Sequence, residues 1–223
     1  MDWTALRLSA GLSVATALLL LPPGVLVARW LATSAHPLKP FAEATLALPL
    51  VLPPTVLGYY LLVAMGGASP IGEAVQRLTG HTLAFSFGGL LVASLIFNIP
   101  FALMSMQRAF ESIPAELYDA ARTCGLSRWR TLWHVELPLA WRGILSGLIM
   151  TAAHTLGEFG VVLMVGGSIP GETRTIAISI YDKVQSFDMR AAGAMSATLL
   201  AISMLTLLAT AWLTRLRPPT GHR

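Results

Sequence analysis

Four stretches of this chain run more than twenty residues without a charged side chain. They hold 21 residues between Arg7 and Arg29, 29 between Glu43 and Glu73, 30 between Arg77 and Arg108, and 24 between Arg190 and Arg215. About 20 apolar residues cross the hydrocarbon core of a bilayer as a helix. In lipid every backbone N–H and C=O needs an internal partner, and a helix supplies those partners within one segment. A fifth apolar stretch, from 143 to 164, is interrupted only by His154 and Glu158. The expected fold is therefore all-α, a polytopic transmembrane bundle with spans near 8–29, 44–65, 83–106, 143–164 and 191–214. Composition agrees, with 55% of residues hydrophobic and 12% charged, roughly half the charged share of an average soluble domain.

Five spans put the termini on opposite sides. Ten Lys and Arg fall in the 29–40 loop, the 107–142 loop and the C-terminal tail, against five on the other side (Arg7, Arg77, Arg174, Lys183 and Arg190). Cytoplasmic loops carry the excess of positive residues. The 107–142 loop and the tail at 216–223 are thus expected in the cytoplasm and the N-terminus outside. The net charge of +4 reports this topology and does not point to nucleic acid. Cys124 is the only cysteine, so no internal disulfide can form. The first apolar run is too long for a signal-peptide core and is expected to stay as a span. One membrane domain over 5–215 accounts for nearly the whole chain.

The polar segment between the third and fourth expected spans is far longer than a turnaround needs. It contains Ile113-Pro114 followed by Ala115-Glu116-Leu117-Tyr118-Asp119-Ala120-Ala121-Arg122-Thr123-Cys124-Gly125. Pro114 suits the first turn of a helix and Gly125 its stop, which predicts a helix of about ten residues. Glu116 and Asp119 lie toward the end where the helix dipole favours anions, and Arg122 toward the other. Leu117, Ala120, Ala121 and Cys124 share a face, and the paired alanines permit close approach of another backbone. A second helical piece, about Arg128 to His134, is expected next, with Leu137-Pro138 starting the fourth span. Such a helix, held between two spans, is suited to docking on another protein.

The segment runs Asp119-Ala120-Ala121, three residues, Gly125, nine residues, then Val135-Glu136-Leu137-Pro138. This resembles the EAA loop of binding-protein-dependent ABC importer permeases: E-A-A, three residues, G, nine residues, I, one residue, L-P. The spacing matches throughout, with Asp119 in place of Glu and Val135 in place of Ile. The resemblance implies a type I importer fold in which the loop forms a coupling helix seated on a separate ATPase subunit. Glu116, Asp119, Ala120, Ala121, Gly125, Leu137 and Pro138 would belong to that contact. Two further stretches look like the molybdate permease branch of the family, and less like the sulfate permeases. They are Leu48-Pro49-Leu50-Val51-Leu52-Pro53-Pro54-Thr55-Val56-Leu57-Gly58-Tyr59-Tyr60, and Thr155-Leu156-Gly157-Glu158-Phe159-Gly160 with Ile169-Pro170-Gly171-Glu172-Thr173-Arg174-Thr175 after it. The resemblance covers about 5–215. It implies molybdate as cargo, with tungstate or sulfate as alternatives, and an inner-membrane complex. That complex would hold a second copy of this chain, two ATPase subunits carrying ATP and Mg, and a periplasmic molybdate-binding protein.

The chain has no glycine-rich phosphate loop. Its lysines are Lys39 and Lys183, and neither follows a glycine. It is expected to hold no cofactor and no catalytic residue, the motor being another polypeptide. A dianion entering a cell that is negative inside climbs about 4.6 kcal/mol per 100 mV, from roughly 2.3 per charge, so accumulation needs a driven cycle. No Lys or Arg falls in the interior of an expected span. A fixed cation there would bind the oxyanion tightly and slow its release. The path is therefore expected to be lined by small polar groups and by backbone amides freed near helix breaks. Thr55, Asn98 and Thr155 are candidates for that lining.

Pro49, Pro53 and Pro54 either bend the second span into a path-lining helix or sit as tolerated prolines near a helix end. Asn98-Ile99-Pro100 in the third span poses the same alternatives. His154 and Glu158, four apart, form a polar pair beside the path, or Glu158 is a structural anchor at the outer boundary. Arg174 attracts the anion, contacts the binding protein, or is a solvated loop charge. Trp30, Trp141 and Trp212 near span ends suit an interfacial belt. An ion-coupled carrier would need ionisable residues deep in several spans, and only His154 and Glu158 qualify. An intramembrane enzyme would need a metal or nucleophile set, but the chain has no H-E-x-x-H and Cys124 lies in a loop.

Overall fold

The computed structural model of the protein describes residues 1–215; the tail expected at 216–223 lies outside them. The helices are α1 (Trp3–Thr33), α2 (Lys39–Val51), α3 (Pro54–Met65), α4 (Pro70–Thr79), α5 (Phe87–Glu111), α6 (Ala115–Thr123) and α7 (Arg128–Thr131), then a π-turn (Leu132–Glu136), α8 (Leu137–Gly157), α9 (Gly160–Gly166), α10 (Ile176–Gln185) and α11 (Met189–Arg215). Three of them, α1, α5 and the Met189–Trp212 part of α11, are each long and apolar enough to cross a membrane. Two bent helix pairs pass the same test together, α2 with α3 at 105° and Arg128–Gly157 with α9 at 61°, and each counts as one more crossing if the pair is a single broken span. Counted this way the bundle has up to five spans.

The bends correct two of the expected spans. The 44–65 stretch is not one kinked helix: it breaks at Leu52 and Pro53, both of which adopt extended ψ near 135° (137° and 133°). Pro53 and Pro54 bring no N–H to the helix ladder, and a residue before proline is pushed out of the α region. The 143–164 stretch is also interrupted. Its helix stops at Gly157, and α9 begins at Gly160 after an extended Glu158.

The start of the fourth span differs as well. The expected separate piece near 128–134 is continuous with α8 through the π-turn. There the Leu137 N–H donates to the Leu132 carbonyl, five residues back. In a regular α-helix the Pro138 ring would press on the His134 carbonyl and leave it without a donor. The wider turn relieves that clash, so the helix runs through the proline.

The core is the packing of α1, α5 and α8. Met106, Ala109 and Phe110 of α5 sit in one buried cluster with Leu20 and Ala28 of α1 and Ala140 and Ile144 of α8. Small residues let these helices approach closely, as membrane bundles require. A Cβ at Gly143 would overlap the Ala109 methyl, and one at Gly147 would stand 3.1 Å from the Ala102 carbonyl oxygen. Ser13 Oγ donates to the Ala152 carbonyl at 2.7 Å, tying α1 to α8 where no water can compete. In α11, Leu200, Leu205, Leu207 and Leu208 are exposed, a surface suited to lipid.

Candidate coupling site and permeation path

The loop helix α6 spans nine residues and ends as its sequence requires. Gly125 has φ +71°. Its N–H donates to the Arg122 carbonyl, and the Leu126 N–H donates to the Ala121 carbonyl. These two bonds are the Schellman closure that a left-handed residue makes possible. Glu116, Asp119, Ala120 and Gly125 are exposed, with Asp119 and Arg122 3.6 Å apart on the surface. Ala121 departs from its neighbours. It is 5% exposed and turned into the chain's own body, while Tyr118 packs against the core of α1, α5 and α8. So α6 is anchored by Tyr118 and Ala121 and offers Glu116, Leu117, Asp119 and Ala120 outward. Leu137 is half-buried and Pro138 exposed, at the very start of α8.

Beneath α6 lies a pair that the sequence did not single out. The guanidinium of Arg29, near the end of α1, meets both oxygens of Glu136 with Nε and Nη2, the latter at 2.8 Å. Nη2 also donates to the Arg128 carbonyl at 3.2 Å. The Glu136 side chain has no solvent exposure. Burial, and then the neighbouring Glu136 carboxylate, hold the Tyr118 phenol above its ordinary pKa, so it stays neutral.

The two helix breaks meet one another. A Cβ on Gly160 would lie 2.8 Å from Pro54 Cβ, and one on Gly58 would lie 2.7 Å from Met164 Cβ. Non-helical backbone at membrane depth persists where it is buried in protein or lines a cavity, and this crossing holds both interruptions. Thr55 is exposed beside it, whereas Asn98 and Thr155 are buried. The Glu158 carboxylate accepts the Val161 N–H at 2.9 Å and so closes the start of α9. His154 bonds elsewhere: its Nδ1 lies 3.0 Å from Asn98 Oδ1, and its ring stacks on Phe101. Because Asn98 Nδ2 donates to the Ser94 carbonyl, Oδ1 must be the atom facing His154. Nδ1 is then the donor of this bond. Of the two readings of His154 and Glu158, the polar pair is not formed: each has its own partner, and Glu158 serves the backbone at the start of α9. Arg174 is held by Ser168 Oγ at 3.0 Å and by Asp182 of α10 at 3.4 Å, which ties the loop to that helix.

The family of binding-protein-dependent transport system inner membrane components matches residues 9–221. This chain belongs to that family. It is 45% identical over 208 residues to the molybdenum transport system permease protein ModB of Azotobacter vinelandii, covering 93% of this chain and 92% of the relative. To the protein of the same name from Escherichia coli K12 it is 38% identical over 216 residues, covering 96% and 94%. Its fold is that of a bacterial ABC transporter involved in the import of the acidic polysaccharide alginate, with TM-score 0.76 at 16% identity, covering 96% of this chain and 79% of that one. An amino acid ABC transporter aligns with TM-score 0.63, also at 16% identity, covering 96% and 92%. At such identity the likeness is one of fold.

As a family member the chain is a multi-pass membrane permease with a solvent-facing loop helix. Its structure puts Glu116, Asp119, Ala120 and Ala121 on α6, with Ala121 facing inward, sets Gly125 just past the end of α6, and leaves Leu137 and Pro138 on α8. It gathers Thr55 near the helix breaks and separates Arg174 from them by tying it to Ser168 and to Asp182 of α10. Arg29 and Glu136 had no signal in local periodicity. The one hint was a carboxylate, Glu136, one residue before Leu137-Pro138 in an otherwise apolar entry to a span.

Proposed function

We propose that this chain is the membrane subunit of an ATP-driven importer of molybdate. The observation that carries the proposal is the short helix α6, anchored on one face and exposed on the other, with the Asp119-to-Pro138 spacing that the family uses for coupling. The relatives named for molybdenum transport support the cargo. In this reading two copies of the chain enclose the path, and two ATPase subunits carrying ATP and Mg take up the coupling helices. A periplasmic molybdate-binding protein delivers the anion. The chain binds no nucleotide itself. The excess of Lys and Arg around α6 supports a cytoplasmic position for that helix and the C-terminus, with the N-terminus outside. ATP binding draws the two coupling helices together and opens the path outward; hydrolysis lets them part and turns it inward.

The bend between α2 and α3 and the break between α8 and α9 would line the path, with Thr55 presented to the anion. A site without a fixed cation releases a dianion readily, which leaves selection to the binding protein. Reconstitution tests the whole proposal. The permease, its ATPase and its binding protein in liposomes should accumulate molybdate only when ATP is supplied on the α6 side, and molybdate should outcompete sulfate. Uptake that needs an ion gradient and no ATP would refute it.

A further inference from the structure

We propose that Arg29 is a positioning residue that braces the segment between α6 and the fourth span, so that motion of the coupling helix reaches α1 as well as α8. This rests on the importer reading above. The π-turn at Leu132–Glu136 is the weak point of the helix that runs from Arg128 to Gly157, because a widened turn is where such a helix bends. Arg29 grips the chain on both sides of it, at the Arg128 carbonyl before the turn and at the Glu136 carboxylate closing it. A planar fork on both oxygens of a carboxylate fixes direction as well as distance. The Glu136 side chain is wholly buried, and Arg29 is the cation that meets it. The result is a stiff lever where an unbraced π-turn would flex.

Tyr118 puts the coupling helix in touch with this joint. Its hydroxyl is buried with no hydrogen-bond partner among the described residues, and the charges of Glu136 and Arg29 both act on it. Tyr118, Arg29, Arg128 and Glu136 together face a cavity of about 590 Å³, so α6 has room to shift. A shift toward Glu136 gives the orphan hydroxyl a carboxylate acceptor and loads the brace. From there α1 carries the displacement to the opposite end of the bundle. It is bonded there through Ser13 to the Ala152 carbonyl and through Ser9 to the Ile176 N–H.

The test uses the full complex of permease, ATPase and binding protein in liposomes, with molybdate uptake and ATP hydrolysis measured on the same vesicles. Glu136→Gln and Arg29→Lys are expected to assemble and hydrolyse ATP while moving about fivefold less molybdate per ATP, the lower end of coupling between distant sites. Tyr118→Phe should lower the same ratio, and adding it to Glu136→Gln should lower it no further, because the two lesions interrupt one joint. Glu73→Gln, which breaks an exposed pair with Arg77 on α4, should leave the ratio unchanged. An unchanged ratio in both Glu136→Gln and Arg29→Lys overturns the inference. So does a fall of uptake and hydrolysis in one proportion with the amount of folded complex, which is what a merely structural pair would give. A wild-type complex that fails to use ATP for uptake would remove the importer reading, and this inference with it.

Discussion

At Gly125 the backbone, not the space around it, sets the cost of substitution. A Cβ there would meet nothing within 4 Å, but φ is +71°. Alanine and a bulky residue should therefore destabilise the end of α6 to a similar degree, about 1–2 kcal/mol, with asparagine milder because it tolerates the left-handed region. Thermal unfolding of the purified permease compares them, and a tryptophan variant far worse than alanine would contradict the open surroundings. Both should lower molybdate moved per ATP while leaving membrane insertion intact. The Arg29–Glu136 pair predicts an asymmetry. Arg29→Gln strands a carboxylate with 0% exposure, whereas Glu136→Gln strands a guanidinium that keeps 22%. Leaving a buried charge unpaired costs about 3–5 kcal/mol. The arginine variant should approach that figure and the glutamate variant fall well short of it, measured as yield and melting temperature in detergent. Equal losses would mean that solvent reaches Glu136.

Among the elements, prolines behave differently according to what surrounds them. Pro22 and Pro23 lie inside α1, Pro49 inside α2 and Pro100 inside α5, yet Pro53 and Pro54 end one helix and start another. The Leu48–Tyr60 stretch shows prolines without showing which will break the chain. That outcome depends on whether neighbouring helices satisfy the freed carbonyls or whether another broken helix fits the bend. Here the second applies, since α9 brings Gly160 against Pro54. Gly160→Ala should therefore overpack the crossing and cost about 1–3 kcal/mol, read by thermal unfolding, and should impair uptake. A neutral result would show that α3 and α9 can slide apart. The amphipathic pattern of α6 was similarly incomplete. It grouped Ala120 with Ala121, but only the packed structure shows that Ala121 is covered by the chain itself, because a helix between two surfaces has two inner faces.

For the whole molecule, the distribution of Lys and Arg sets a direction that a label can check. Cys124 is the single cysteine and is exposed at the end of α6. A membrane-impermeant thiol reagent should modify it in inside-out vesicles and spare it in intact cells. Added ATPase should slow the modification by covering α6. Labelling from outside would reverse the topology and remove the coupling role.

What the sequence by itself determined was the class of fold, the places of the apolar runs and the loop helix with its glycine stop. These depend on hydropathy over twenty residues or on local backbone preference, and both are written in consecutive positions. Only the tertiary structure decided which prolines break a span, which alanine faces inward and which residue Arg29 holds. Arg29 and Glu136 are 107 residues apart, and no periodic pattern links them. Their meeting follows from how α1 packs on α5 and α8, a property of the assembled bundle.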